Sequence, residues 1–174
     1  MRRVSSTVVV VAGDEAERVV RGLSGLHNVR AVPASEREAE ELVAPTPATY
    51  VVHDGDPLGA VADAWVEYFD QAAGPGALEV AIEEALAGLR SERVVLPDYY
   101  VVLDPEDMPE TRRHWYLGVL AGAAPARVVP APASASAVQD VLSRLSAGRW
   151  WPDDLAGWLR GLPRAVPDQV GVRP

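Results

Sequence analysis

The chain contains no cysteine, and that absence removes disulfides, thiolate zinc sites, iron–sulfur ligation and cysteine nucleophiles together. Lysine is missing as well, because all 16 basic residues are arginine. A Walker lysine, a Schiff-base lysine and the lysine that completes a phospho-receiver site are therefore excluded. A coding sequence rich in G and C favours arginine, alanine, valine, proline and glycine together and accounts for the bias; the exclusions hold whatever its origin. Long apolar runs are also lacking. No stretch approaches the roughly 20 apolar residues that a membrane helix needs. Met1-Arg2-Arg3-Val4 with Val8 to Val11 superficially resembles a signal peptide, but its apolar run is short and meets Asp14, Glu15 and Glu17 directly. Basic charge is in deficit, with 16 arginines against 25 Asp and Glu and a net charge of -9. Nucleic acid and anionic membranes are repelled by such a surface. The expectation is a soluble, cytoplasmic protein.

What is present reads as one α/β domain. The 174 residues match a prior of about 100–200 residues per domain, and 48% apolar composition is ample for a core. Thr7 to Ala12 is a continuous β-branched run, which is how a strand buried on both faces reads. Gly13 breaks it, and Ala16, Val19, Val20 and Leu23 follow at helical spacing until Gly25. Val29 to Val32 forms a weak second strand. Ser35 and Glu38 make a capping box for a helix through Val43. Thr49 to Val52 is a third strand, followed by a long amphipathic helix with Leu58, Val61, Ala62, Trp65, Val66 and Phe69 on one face. Leu78, Ile82, Ala85, Leu86 and Leu89 mark a further helix. Tyr99 to Leu103 is a fourth strand, a helix follows from Glu110 to Ala121, and Arg127 to Val129 is a short fifth strand closed by Pro130. A helix from Ala133 to Ala147 and a short one with Leu155, Trp158, Leu159 and Leu162 complete the pattern. Five strands with helices between them, joined by right-handed crossovers, predict a three-layer, flavodoxin-like (Rossmann-like) domain with a five-stranded mainly parallel sheet and an extra C-terminal helix. The domain spans residues 1–162, and 163–174 form an extended or frayed tail.

In an open parallel sheet ligands bind outside the carboxyl ends of the strands. The loops there are acidic: Asp14 and Glu15, then Asp54 and Asp56, then Asp104, Glu106 and Asp107. Asp54, Asp56 and Asp104 together suit Mg²⁺, which takes one or two carboxylates plus water and substrate phosphate. The alternative is that these aspartates cap and turn the loops, bonding nearby backbone. The helix after the fourth strand opens with Thr111-Arg112-Arg113-His114-Trp115-Tyr116. Arg112 and Arg113 at a helix start suit an anion, Trp115 and Tyr116 suit stacking on a base, and His114 suits acid–base work. Core packing is the competing role for Trp115. His53 beside Asp54 is a weaker pair, because neighbours on a strand point to opposite faces. Near the C-terminus Trp150, Trp151 and Trp158 form a segment that closes the sheet edge or binds a partner. No G-x-G-x-x-G follows the first strand and no G-x-S-x-G elbow is present. The Asp-x-Asp of a haloacid dehalogenase belongs at the end of the first strand, whereas Asp54-Gly55-Asp56 follows the third.

Three functional readings follow. The first is a non-catalytic binding or interaction module acting through its strand-end loops or its tryptophan segment, with a protein partner, a homo-oligomer or a nucleotide-like ligand. The second is an enzyme handling phosphate esters or phosphoryl groups, with Mg²⁺ on Asp54, Asp56 and Asp104, Arg112 or Arg113 clamping the anion and His114 as acid or base. The third processes a nucleoside with a carboxylate and the Trp115/Tyr116 platform, without a metal; Asp14 is a further ligand-binding candidate at the first strand end.

Overall fold

A computed structural model describes residues 6–34, 46–146 and 151–167. The helix expected between Ser35 and Val43 lies outside the described residues, as does Trp150. The chain divides into two compact units interleaved in sequence. The first is drawn from Met1–Asp56, Pro97–Pro105 and Val129–Arg149, the second from Pro57–Leu96, Glu106–Val128 and Trp150–Pro174.

The first unit is built on a five-stranded sheet, with β1 (Thr7–Ala12), β2 (Val29–Val32), β3 (Tyr50–His53), β4 (Tyr99–Leu103) and β5 (Val128–Ala131) in the order β2-β3-β1-β4-β5. The strands are all parallel, so the architecture is the expected flavodoxin-like α/β class, with an additional C-terminal helix. Compared with the flavodoxin order 2-1-3-4-5, β1 and β3 exchange places and β1 becomes the middle strand. Its composition explains the position. Val8, Val9, Val10 and Val11 are at most 1% exposed, and each fully buried valine contributes roughly 1.5–3 kcal/mol. Burial therefore outweighs the ~1 kcal/mol span of strand propensity in holding β1 at the centre.

Register assigns the side chains to faces. Val8 pairs with Val51 and Val10 with both His53 and Tyr100, so Val8, Val10, Val51, His53, Tyr100 and Val102 share one face. The opposite face, with Val9, Val11, Val52, Tyr99, Val101 and Leu103, packs against α1 (Ala16–Gly22) and α6 (Ala135–Leu142) through Val19, Val20, Leu23, Val138 and Leu142. The two helices approach closely at Gly22, where an added Cβ would lie 2.9 Å from the Ala135 Cβ.

Two departures from expectation have local causes. Pro130 lies inside β5 and is exposed. An edge strand tolerates proline, because its missing N–H is not needed for a ladder on the open side. The helix expected to reach Ala147 ends at Leu142. There the Ser143 hydroxyl and the Arg144 Nε both donate to the Asp140 carbonyl, at 2.7 and 3.0 Å, offering the backbone an alternative to another helical turn.

The second unit is helical. It holds α2 (Gly59–Phe69), α3 (Pro75–Arg90), α4 (Glu110–His114), a π-helical turn (Trp115–Leu120), α5 (Ala121–Ala123) and α7 (Leu155–Gly161). A regular helix was expected from Glu110 to Ala121, and the middle of it is instead the wider π turn, with five of its six residues buried. Trp65 on α2 is the hub of the aromatic packing, with its ring centroid 5.7 Å from Trp115 and 4.8 Å from Phe69. Its indole N–H donates to the Leu162 carbonyl at 3.2 Å. The C-terminal segment thus packs on the helices of its own unit. Among the described residues no helix is long and apolar enough to cross a membrane.

Candidate functional site

The sheet order determines which loops meet at the carboxyl edge. With β3, β1 and β4 adjacent, the segments beginning at Asp54, Gly13 and Asp104 leave from neighbouring strand ends about 4.8 Å apart. The chain leaves β1 toward β2 on one side and leaves β4 toward β5 on the other. The β1/β4 pair is therefore the topological switch point, the place where open α/β sheets bind ligands. The register of β1 and β4 ends at the Ala12 and Val102 pair, and Asp14 and Asp104 each follow two residues later in the chain.

Each half-buried carboxylate at this edge has a definite local task. Asp54 accepts from the Ala34 N–H at 2.6 Å, which joins the end of β3 to the chain leaving β2. Asp56 accepts from the Tyr100 hydroxyl at 2.8 Å. Asp104 has a positive φ of 38°, a conformation Asp tolerates better than most residues. Its N–H donates to the Ala131 carbonyl at 2.9 Å, and its carboxylate accepts from the Ala133 N–H at 3.1 Å. It thereby ties β4 to the exit from β5. Gly13, with φ of 134°, makes the turn from β1 into α1 that a side chain would resist. Asp14 is exposed, with no hydrogen bond or ion pair to the described residues. Beside it the Arg18 guanidinium pairs with Glu15 and donates to the Ala133 carbonyl at 2.9 Å.

The aspartates were expected either to gather a metal or to organise loops, and the bonds described are those of the second role. Among the described residues no three His, Asp or Glu side chains are grouped to hold a metal ion. No side chain in the chain supplies a thiolate alternative.

The helical cluster is placed in the second unit, and most of its members are committed to packing. Arg112 is paired with Asp63 of α2 at 2.5 Å, and the Thr111 hydroxyl donates to Asp70 at 2.6 Å. Arg113 reaches the Glu106 carbonyl only at 3.5 Å, the outer limit of a hydrogen bond. Trp115 is fully buried against Trp65, and Tyr116 is buried as well. Neither ring presents a surface face on which a base could stack, because the π turn directs both into the core. His114 is half-buried, and its Nδ1 has no hydrogen-bond partner among the described residues.

Trp151 and Trp158 are half-buried, with ring centroids 6.0 Å apart and planes tilted by 56°. The α7 helix that carries Trp158 is held by Leu159 and Leu162, at most 1% exposed, and by a two-pronged bond from Arg160 to Glu83 of α3 at 2.8 and 3.1 Å. That bond from the guanidinium holds the Glu83 carboxyl below its ordinary range, and the partner carboxylate raises Arg160 in turn.

Two contributors escaped the sequence reading. Tyr100 reads as an ordinary strand residue, yet its place in register with Val10 directs its hydroxyl to Asp56. Asp98 reads as a loop residue before β4, yet it is buried and accepts from the Val8 N–H at 2.7 Å. The signal for Tyr100 was available in the two-residue alternation of β4; nothing local marks Asp98. Against this geometry, no protein family model, no curated protein and no solved structure matches the chain.

Proposed function

We propose that the protein is a non-catalytic binding module whose acidic sheet edge receives a cationic, hydrogen-bond-donating group, such as an arginine side chain of a protein partner. The observation that carries this reading is the arrangement at the switch point. Asp54 and Asp104 each use one carboxylate oxygen to organise a loop, and the other oxygen accepts no bond from the described residues. Asp14, two residues past the end of β1, is exposed and makes no bond to them at all. The edge therefore offers acceptors, held by rigid strand ends. Among the described residues the cation beside Asp14, Arg18, is engaged with Glu15 and Ala133. A phosphate-bearing ligand would face these carboxylates with no lysine in the chain and with Arg112 held by Asp63. A guanidinium meets complementary charge and can bond in bidentate fashion.

Calorimetric titration of the full chain with a tetra-arginine peptide, and separately with Mg²⁺ or Mn²⁺, tests this. Peptide binding should weaken steeply with salt and drop at least fivefold in an Asp14→Asn/Asp104→Asn double variant. Asparagine keeps both the left-handed backbone at position 104 and an acceptor for the Ala133 N–H. No peptide binding at low salt would overturn the proposal. Metal binding that is lost on Asp54→Asn or Asp56→Asn, with no peptide binding, would favour the metal-dependent reading in its place.

A further inference from the structure

We infer that the helical stretch from Glu110 to Ala123 is a two-position device: its wide π turn shifts toward the N-terminus, which brings the Trp115 indole to the surface and releases Asp63 and Asp70. The device lies in the helical unit and is independent of the sheet edge. The extra residue in the winding is sharply placed. Ordinary α-helical bonds flank the turn, from the Arg113 N–H to the Pro109 carbonyl at 2.9 Å and from the Ala124 N–H to the Leu120 carbonyl at 2.8 Å. Between them the Ala121 N–H reaches back five residues to the Tyr116 carbonyl. A bond spanning five residues holds one residue more than the α-helical bond it replaces. Moving the wide turn along the helix exchanges such bonds for four-residue ones and leaves their number unchanged.

The present position leaves the segment mismatched to its surroundings in two ways. Inside, Trp115 is fully buried, yet its Nε1 has no hydrogen-bond partner among the described residues, and neither does the buried Nδ1 of the adjacent His114. Buried polar atoms are ordinarily paired, as the Trp65 indole is with the Leu162 carbonyl. Outside, Leu117 is 39% exposed, although the other five residues of the turn are buried. Shifting the wide turn earlier rotates each residue it passes by about 100° around the helix axis, into the place its predecessor held. Leu117 then takes the buried place of Tyr116, and Trp115 takes the half-buried place of His114, where its N–H meets water. Three contacts hold the present position: the Arg112 and Asp63 ion pair, the bond from Thr111 to Asp70, and the ring contact of Trp115 with Trp65. The two polar links are exposed and therefore weak, and burial of Leu117 offsets part of what Trp115 loses. Single π turns inside α-helices often mark such functional positions.

Relaxation-dispersion NMR of backbone and indole ¹⁵N nuclei in the full chain reads exchange on the microsecond-to-millisecond scale. The amides of residues 111–117 and the Trp115 indole, assigned with Trp115→Phe, should exchange at one common rate while α3 stays flat. Arg112→Ala removes the ion pair with Asp63 and should raise the population of the second position about 1.5-fold to fivefold. Leu117→Gln works in the opposite direction. Glutamine is at ease in the exposed place and gains nothing from the buried one, so the second population should fall at least about twofold. Both substitutions lie on the partly open side of the helix, and far-UV circular dichroism should match the parent. Flat profiles in both the parent and Arg112→Ala overturn the inference. So does exchange at the same rate throughout α2, α3 and α7, which reports opening of the whole helical unit, or a second population left unchanged by Leu117→Gln.

Discussion

Replacing Asp98 by alanine tests the least visible support of the sheet. Asp98 precedes β4 and faces β1 twice: its N–H donates to the Val8 carbonyl at 2.7 Å, and its carboxylate accepts from the Val8 N–H at 2.7 Å. The regular pairing of the two strands begins one residue later, at Val9 and Tyr99. The side chain therefore supplies an acceptor for the Val8 N–H, the second donor of β1, which the β1–β4 ladder does not reach. Val8 is 1% exposed and Asp98 4%, so water cannot replace the lost oxygen. A hydrogen bond to a charged group contributes about 1.5–3 kcal/mol, and an orphaned buried donor costs a similar amount; these describe the same event and are not summed. Asp98→Ala should thus cost about 2–3 kcal/mol. At roughly 2–4 °C per kcal/mol for a chain of this size, the midpoint of thermal unfolding should fall by about 4–12 °C. Asp98→Asn keeps an acceptor oxygen of the same reach and should retain most of the stability. Urea titration followed by far-UV circular dichroism measures both variants. An alanine variant within about 0.5 kcal/mol of the parent would refute the argument, and an asparagine variant as damaged as alanine would show that the charge, not the acceptor, is what matters.

Gly22→Ala raises helix propensity by up to about 1 kcal/mol, but its Cβ would meet that of Ala135 at 2.9 Å. Because that atom is fixed to the backbone, overpacking at about 1–3 kcal/mol should win and lower the melting temperature, and Ala135→Gly in the same chain should restore it; an unrestored double variant would count against the contact. For Glu83 the sign follows from its lowered pKa: the stabilisation is present above the ordinary carboxylate pKa and is lost as pH falls through the lower folded value. Parent and Glu83→Gln should therefore differ in melting temperature at pH 7 but converge in acid, and high salt should shrink the difference. A difference that persists at pH 2 would rule out the ion pair as its source. Tyr100→Phe should cost about 0.5–1.5 kcal/mol through the lost bond to Asp56, and hydrogen exchange should quicken in the loop after β3 if that bond holds it.

Much of the fold was legible because it is written locally. The four consecutive valines of β1, the β-branched and aromatic run of β4, and the helical spacing from Leu58 to Phe69 each identify an element within a window of a few residues. Strand and helix preferences act at that range. Boundaries were less legible where side chains compete with the ladder, as at Ser143 and Arg144, or where position in the sheet decides, as at Pro130 on an edge strand. The π turn at Trp115 to Leu120 left no local mark, since its residues suit an ordinary helix and burial sets the wider winding.

Composition and pattern alone determined the α/β class, the acidic charge and the exclusion of every lysine- and cysteine-dependent chemistry, since these depend only on which residues are present and how they alternate. Tertiary structure decided the strand order, the placing of the β1 and β4 ends side by side at the switch point, the commitment of Trp115 to the core and the burial of Asp98 against Val8. Such pairings join residues as much as 90 positions apart. No local preference encodes them, because they arise only when the whole set of apolar faces is buried at once.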